Sequence, residues 1–148
     1  MTRVDFYVLP DVAATGRERF VCRLANIAYR RGQRVYVYAQ SKDQALALDN
    51  LLWTFQAGSF VPHDLHPTGA VADTPILIGH EGVPDDWHDV LINLSDTVPN
   101  FFSRFDRVAE LVNQDQAIKD AGRERFRFYR DRGYALETHA LTAQTDDA

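Results

Sequence analysis

The chain has 148 residues, 45% of them hydrophobic and 25% charged, with a net charge of −5. That length predicts one compact domain, residues 1–142, with a frayed tail over 143–148, and the acidic balance excludes a basic surface broad enough to wrap a polyphosphate. No apolar run approaches the roughly twenty residues a bilayer requires; the N-terminus lacks the layout of a secretion signal, and a single cysteine rules out a disulfide framework, so a cytoplasmic protein without membrane contact is expected.

VDFYVL (4–9) is a short run of β-formers stopped by Pro10, which predicts a buried strand. GRERFVCRLANIAYRRG follows, with Phe20, Leu24, Ile27 and Ala28 at helical spacing and Gly32 as the stop; Cys22 within it reads as a small buried hydrophobe. RVYVYA (34–39) completes a strand, helix, strand unit of about the size that implies a parallel pair with a right-handed crossover. Ser41 then caps a helix whose inner stripe is Ala45, Leu48, Leu52 and Phe55. An irregular segment leads to strands at PILIGH (75–80) and DVLINL (89–94). FFSRF after Pro99 suggests a short helix, RVAELV either a strand or that helix continued, and residues 114–132 a strong helix. YALETHAL closes the sheet as an edge strand. The alternation predicts an α/β fold, a Rossmann-like three-layer sandwich with a mainly parallel sheet.

A doubly wound sheet invites a nucleotide, but the first strand-to-helix turn, LPDVAATGRERF, has one glycine and neither GxGxxG nor GxxxxGK. No cofactor is expected. His63, Asp64 and His66 in PHDLH are the best metal-ligand candidates, with His80 and Glu81 or His88 and Asp89 on separate loops; a stable zinc site needs three or four convergent ligands, so His63 is expected to brace its own loop instead. Asp85 and Asp86 beside Pro84 read as a solvated turn. No catalytic constellation is present.

RERFRFYRDRGY (123–134) stands out: five of the sixteen Lys and Arg residues fall within it, interleaved with four aromatics. At about 100° per residue, Ala117, Ile118, Ala121 and Phe128 form the predicted buried side. Arg123, Arg127 and Arg130 form a ridge opposite, edged by Phe126, with Glu124 off the ridge and not neutralising it. A solvated face is one reading. Arginines in a chain with two lysines favour a ligand instead, because guanidinium forks suit carboxylate or phosphate. Nucleic acid and acidic peptide compete for that place. A face of about three turns spans only about 16 Å, and the negative surroundings repel a longer strand, so a short acidic tail fits the footprint better than direct single-stranded DNA binding.

DFYVLP, RVYVYA, ALDNLLW, SFVPHDL, DVLINL and RERFRFYRDRGY together resemble, nearly end to end, the chi subunit family of bacterial DNA polymerase III holoenzyme. The resemblance implies a noncatalytic protein that joins the clamp-loader assembly through the small psi subunit and grips the acidic C-terminal tail of single-stranded-DNA-binding protein, a tail ending in phenylalanine. It implies Arg123 and Arg127 as the basic pair, Arg127 standing where the family has lysine, and Phe126 at the terminal-residue pocket, standing where it has tyrosine. Arg130 extends the ridge. It also implies a psi interface at Trp53, Phe60 and Pro62, residues that the sequence itself leaves open between core and exposed anchor.

Overall fold

The computed structural model describes residues 1–54, 61–67 and 74–142. Among them, seven strands pair in one all-parallel sheet. The strands are β1 (Arg3–Val8), β2 (Val35–Tyr38), β3 (His63–Leu65), β4 (Ile76–Gly79), β5 (Val90–Asn93), β6 (Arg107–Val112) and β7 (Ala135–Ala140), in the spatial order β3-β4-β2-β5-β6-β1-β7. RVAELV is therefore a strand, and an interior one: β5 and β1 offer it a ladder on each side. The irregular segment contributes the short edge strand β3, whose three residues are too few to register as a periodic pattern. β7 is the opposite edge, as its sequence suggested.

Strand alternation builds two cores. Val35 and Val37, Ile76 and Ile78, Val90 and Ile92, Ala109 and Leu111 face α1 (Ala14–Arg30) and α2 (Lys42–Thr54). Tyr36, Leu77, Leu91 and Val108 face the other way, toward α3 (Gln116–Asp131) and the Phe101, Phe102 and Phe105 cluster around a short 3₁₀ turn. Strands buried on both faces read as unbroken apolar runs, which is why the sequence reports them well. The three-layer reading holds.

Gly32 and Ser41 serve as the expected stop and cap, and Asp115 adds a cap not named from the sequence. Gly32 takes a φ of +76° just past α1. Ser41 Oγ accepts from the Gln44 amide at 3.1 Å at the head of α2, and Asp115 accepts from the Ile118 amide at 3.2 Å at the head of α3. Ala45, Leu48 and Leu52 are buried as predicted, while Phe55 lies outside the described residues. Cys22 is buried, its thiol pushed up to about 12 by burial. Ile27 departs from expectation, remaining 44% exposed at the edge of its stripe.

The larger correction concerns α3. Its buried positions are Gly122, Arg125 and Tyr129, whereas Ala117 is exposed and Ile118, Ala121 and Phe128 are half-buried. The inner face is rotated by roughly 70° from the apolar one, counting 100° per residue. Two contacts set the rotation. A Cβ on Gly122 would lie 2.5 Å from Val112 Cγ1, so the missing side chain lets the helix sit close on β6. Glu110, fully buried on β6, then draws in polar partners: Arg125 Nε donates to Oε1 at 2.8 Å, Tyr129 Oη to Oε2 at 2.7 Å, and Asn93 Nδ2 to both oxygens at 3.1 and 3.0 Å. Burial pushes the Glu110 carboxyl up, against the opposing pull of Arg125 and the other donors.

Candidate functional site

The rotation of α3 turns one of its flanks into the wall of a groove. Phe6, Val8 and Val112 from the sheet meet Gly122 and Phe126 from the helix around a cavity of about 190 Å³. Phe126 is half-buried and packs edge-on against Phe6, ring centroids 5.3 Å apart. Lys119 and Arg123, one turn apart on α3, supply the cationic rim, and Thr138 on β7, Asn113 and Gln114 complete the lining. An apolar floor with two cations at its lip is built for an apolar group that carries a negative charge. At this volume it takes one large side chain, below the roughly 300 Å³ where small-molecule pockets begin.

Of the predicted ridge, Arg123 lines the groove, while Arg127 and Arg130 lie outside its walls. All three are exposed, as expected. Each holds a neighbouring carboxylate: Arg123 with Asp120 at 3.4 Å, Arg127 with Glu124 at 2.9 Å, Arg130 with Asp131 at 3.2 Å. Glu124 therefore does partner the ridge, contrary to expectation, because i, i+3 neighbours meet on a helix even when a wheel draws them apart. Exposed pairs of this kind are worth about 0 to 1 kcal/mol, so they yield readily to a better-placed anion. Lys119 escaped sequence reasoning, which counted the arginine cluster and stopped one turn short of it. Arg125 escaped as well, since nothing local marks one arginine of five as buried.

At the far end of the molecule, Trp53 is 54% exposed at the last turn of α2 and packs edge-on against His63, centroids 4.7 Å apart. Pro62 is half-buried nearby, and Phe60 lies outside the described residues. His63 itself is buried, with Nδ1 2.7 Å from the Val61 carbonyl oxygen and Nε2 3.1 Å from that of Asp49. The ring thus sits between the loop at Val61 and α2 at Asp49, and Trp53 packs on it. Asp85 and Asp86 are exposed in a turn, Asp86 at a φ of +60°.

Of the residues named as metal candidates from the sequence, His80 and Glu81 approach to 3.9 Å, but no three of them cluster among the described residues. A different trio, the buried Asp5 of β1 with Glu137 and His139 of β7, places ligand atoms within 4.8 Å of one another. Arg107 donates to Asp5 at 2.9 Å, His139 lies 3.0 Å from its other oxygen, and Arg3 pairs with Glu137. Two guanidiniums already engage both carboxylates, making this a charge-balanced network.

The sequence matches the family described as DNA polymerase III chi subunit, HolC, over residues 1–137. It is 44% identical over 141 residues to the DNA polymerase III subunit chi of Pseudomonas aeruginosa, covering 95% of this chain and 98% of that one. Identity to the subunit chi of Haemophilus influenzae is 34% over 135 residues, covering 90% and 94%, and to that of Escherichia coli 33% over 143 residues, covering 93% and 97%.

Proposed function

The chain belongs to the DNA polymerase III chi subunit family, and on that premise we propose that it is a noncatalytic adaptor in cytoplasmic DNA replication. It links the clamp-loader complex of the polymerase to single-stranded-DNA-binding protein by holding that protein's acidic C-terminal tail, so its association with DNA is indirect. The observation that carries this reading is the groove on α3, apolar at its floor and cationic at its lip. The terminal aromatic ring of the tail enters beside Phe126. Its free carboxylate meets Arg123 and Lys119, and upstream acidic residues exchange places with Glu124 and Asp131 on Arg127 and Arg130. Two or three charge-assisted contacts at about 1.5–3 kcal/mol each and one buried ring, less the cost of association, correspond to about micromolar affinity. Trp53, with Pro62 and Phe60, is the second contact, for the psi subunit or an equivalent partner; its exposed indole is the kind of anchor such interfaces use.

Fluorescence titration tests the first contact with two probes of equal charge, an acidic peptide ending in phenylalanine and an oligonucleotide. The peptide binds at about micromolar strength and loses affinity as salt rises. Binding of the oligonucleotide alone would replace the adaptor by a direct single-stranded DNA-binding module. Amidating the peptide's terminus weakens it about tenfold or more if the carboxylate is read.

A further inference from the structure

β1 and β6 are neighbours in the sheet, yet the helices that follow them leave toward opposite faces, α1 to one and α3 to the other. Their C-terminal ends flank a topological switch point, where open parallel sheets leave a crevice. Four buried side-chain atoms among the described residues lack a hydrogen-bond partner: Asp11 Oδ1, Arg17 Nε, Asn113 Nδ2 and Arg125 Nη2. All four belong to residues around this crevice. Asp11 follows β1 and Arg17 sits near the start of α1; Asn113 follows β6, and Arg125 reaches back from α3 to the Asp96 carbonyl, beyond β5, at 3.0 Å.

Three of the four are donors. Arg17 and Arg125 are 8% and 3% exposed. The one carboxylate buried with them, Glu110, is taken up by Arg125, Tyr129 and Asn93. Arg17 is left with the Leu111 carbonyl, 3.3 Å from Nη1, and has no ion pair among the described residues. Burial and the nearby charge of Arg125 lower its pKa, against the opposing pull of Asp96, Glu18 and Glu110. A buried guanidinium without a direct ion pair is costly. Moreover, α1 starts from Ala13 with no side-chain cap and no acidic residue in its first turn, so its free amides and dipole add positive potential at the same place. Asp11 opposes this, its carboxylate lying against Gly16, where a Cβ would meet Oδ2 at 2.3 Å.

We infer that the crevice beyond β1 and β6 binds a small oxyanion of the size of inorganic phosphate, held by Arg17, Asn113 and Arg125 at the head of α1. The α3 groove is the way in. Asn113 and Gly122 belong to its lining, and Arg125 Nη2 is 3.9 Å from the position of a Cβ on Gly122, directly behind that wall. The site is separate from tail recognition, and its test stands whether or not a peptide binds.

The full chain is titrated with inorganic phosphate at constant ionic strength set by chloride, with calorimetry for binding and thermal unfolding for linkage. A saturable heat and a saturable rise in Tm are expected, with the dissociation constant raised about tenfold or more in Arg17→Met. Asn113→Ala, a gentler change, weakens binding in the same direction should Arg17→Met fold poorly. Asp11→Asn strengthens it. Equal effects from chloride and phosphate, or phosphate binding retained in both Arg17→Met and Asn113→Ala, would overturn the assignment in favour of a surface ion effect. The absence of any saturable response would overturn it too, leaving water as the partner of these donors.

Discussion

Arg125 and Arg127 stand two residues apart on α3 and share a side chain, yet their surroundings differ in every respect that matters. Arg125 is 3% exposed and ends on the buried Glu110, while Arg127 is open to solvent and pairs with Glu124 from its own helix. The first pair joins α3 to β6 and fixes the rotation of the helix; the second joins the helix only to itself. A guanidinium is available for recognition where its existing partner is local, exposed and cheap to exchange. It is architectural where removing it strands a charge in the core.

This contrast can be broken by substitution, starting inside. Arg125→Met leaves Glu110 buried without its cation and is expected to destabilise by about 3–5 kcal/mol in urea unfolding; a loss below 1 kcal/mol would deny Arg125 its role in the core. Tyr129→Phe removes one donor to the same carboxylate and is expected to lose about 1–3 kcal/mol. The Asp5 network adds an effect with a pH signature. Burial alone would raise the Asp5 carboxyl, but hydrogen bonds from His139 and Arg107 and the charges of Arg107 and Arg3 outweigh it and hold the group below its ordinary value of 3.8. The stability it contributes is full above that value and drains away as pH falls through the lower folded one. Urea unfolding between pH 5 and 3 should therefore fall more steeply in wild type than in Asp5→Asn. Least affected is the ridge: Arg127→Ala and Arg130→Ala change stability by about 0.5 kcal/mol or less. Arg123→Glu, at the groove's lip, should weaken the acidic peptide by more than Arg127→Glu does, and the reverse order would move the ring away from Phe126.

Much of this was legible beforehand. Val35 to Tyr38, Ile76 to Gly79 and Val90 to Asn93 are apolar on both faces, and a strand covered on both sides has no other way to be written. The exposed ridge of Arg123, Arg127 and Arg130 followed from spacing, because 3.6 residues per turn holds wherever the helix packs. Trp53 did not follow, since an aromatic at a helix end reads alike as core or anchor until its neighbours are known.

The sequence by itself determined the alternation of most strands and helices, the three-layer α/β class and the presence of an arginine-rich helix, because each is set by local periodicity and propensity. Only the tertiary structure decided which arginine is buried, that Lys119 rather than Arg127 shares the groove with Arg123, and that buried polar atoms of Asp11, Arg17, Asn113 and Arg125 are left without partners. The reason is one long-range pair. Glu110 and Arg125 lie on different elements, and a helical wheel that weighs hydrophobicity sends arginine outward. In the fold, a buried carboxylate needs a cation beside it, and meeting that need turns the helix.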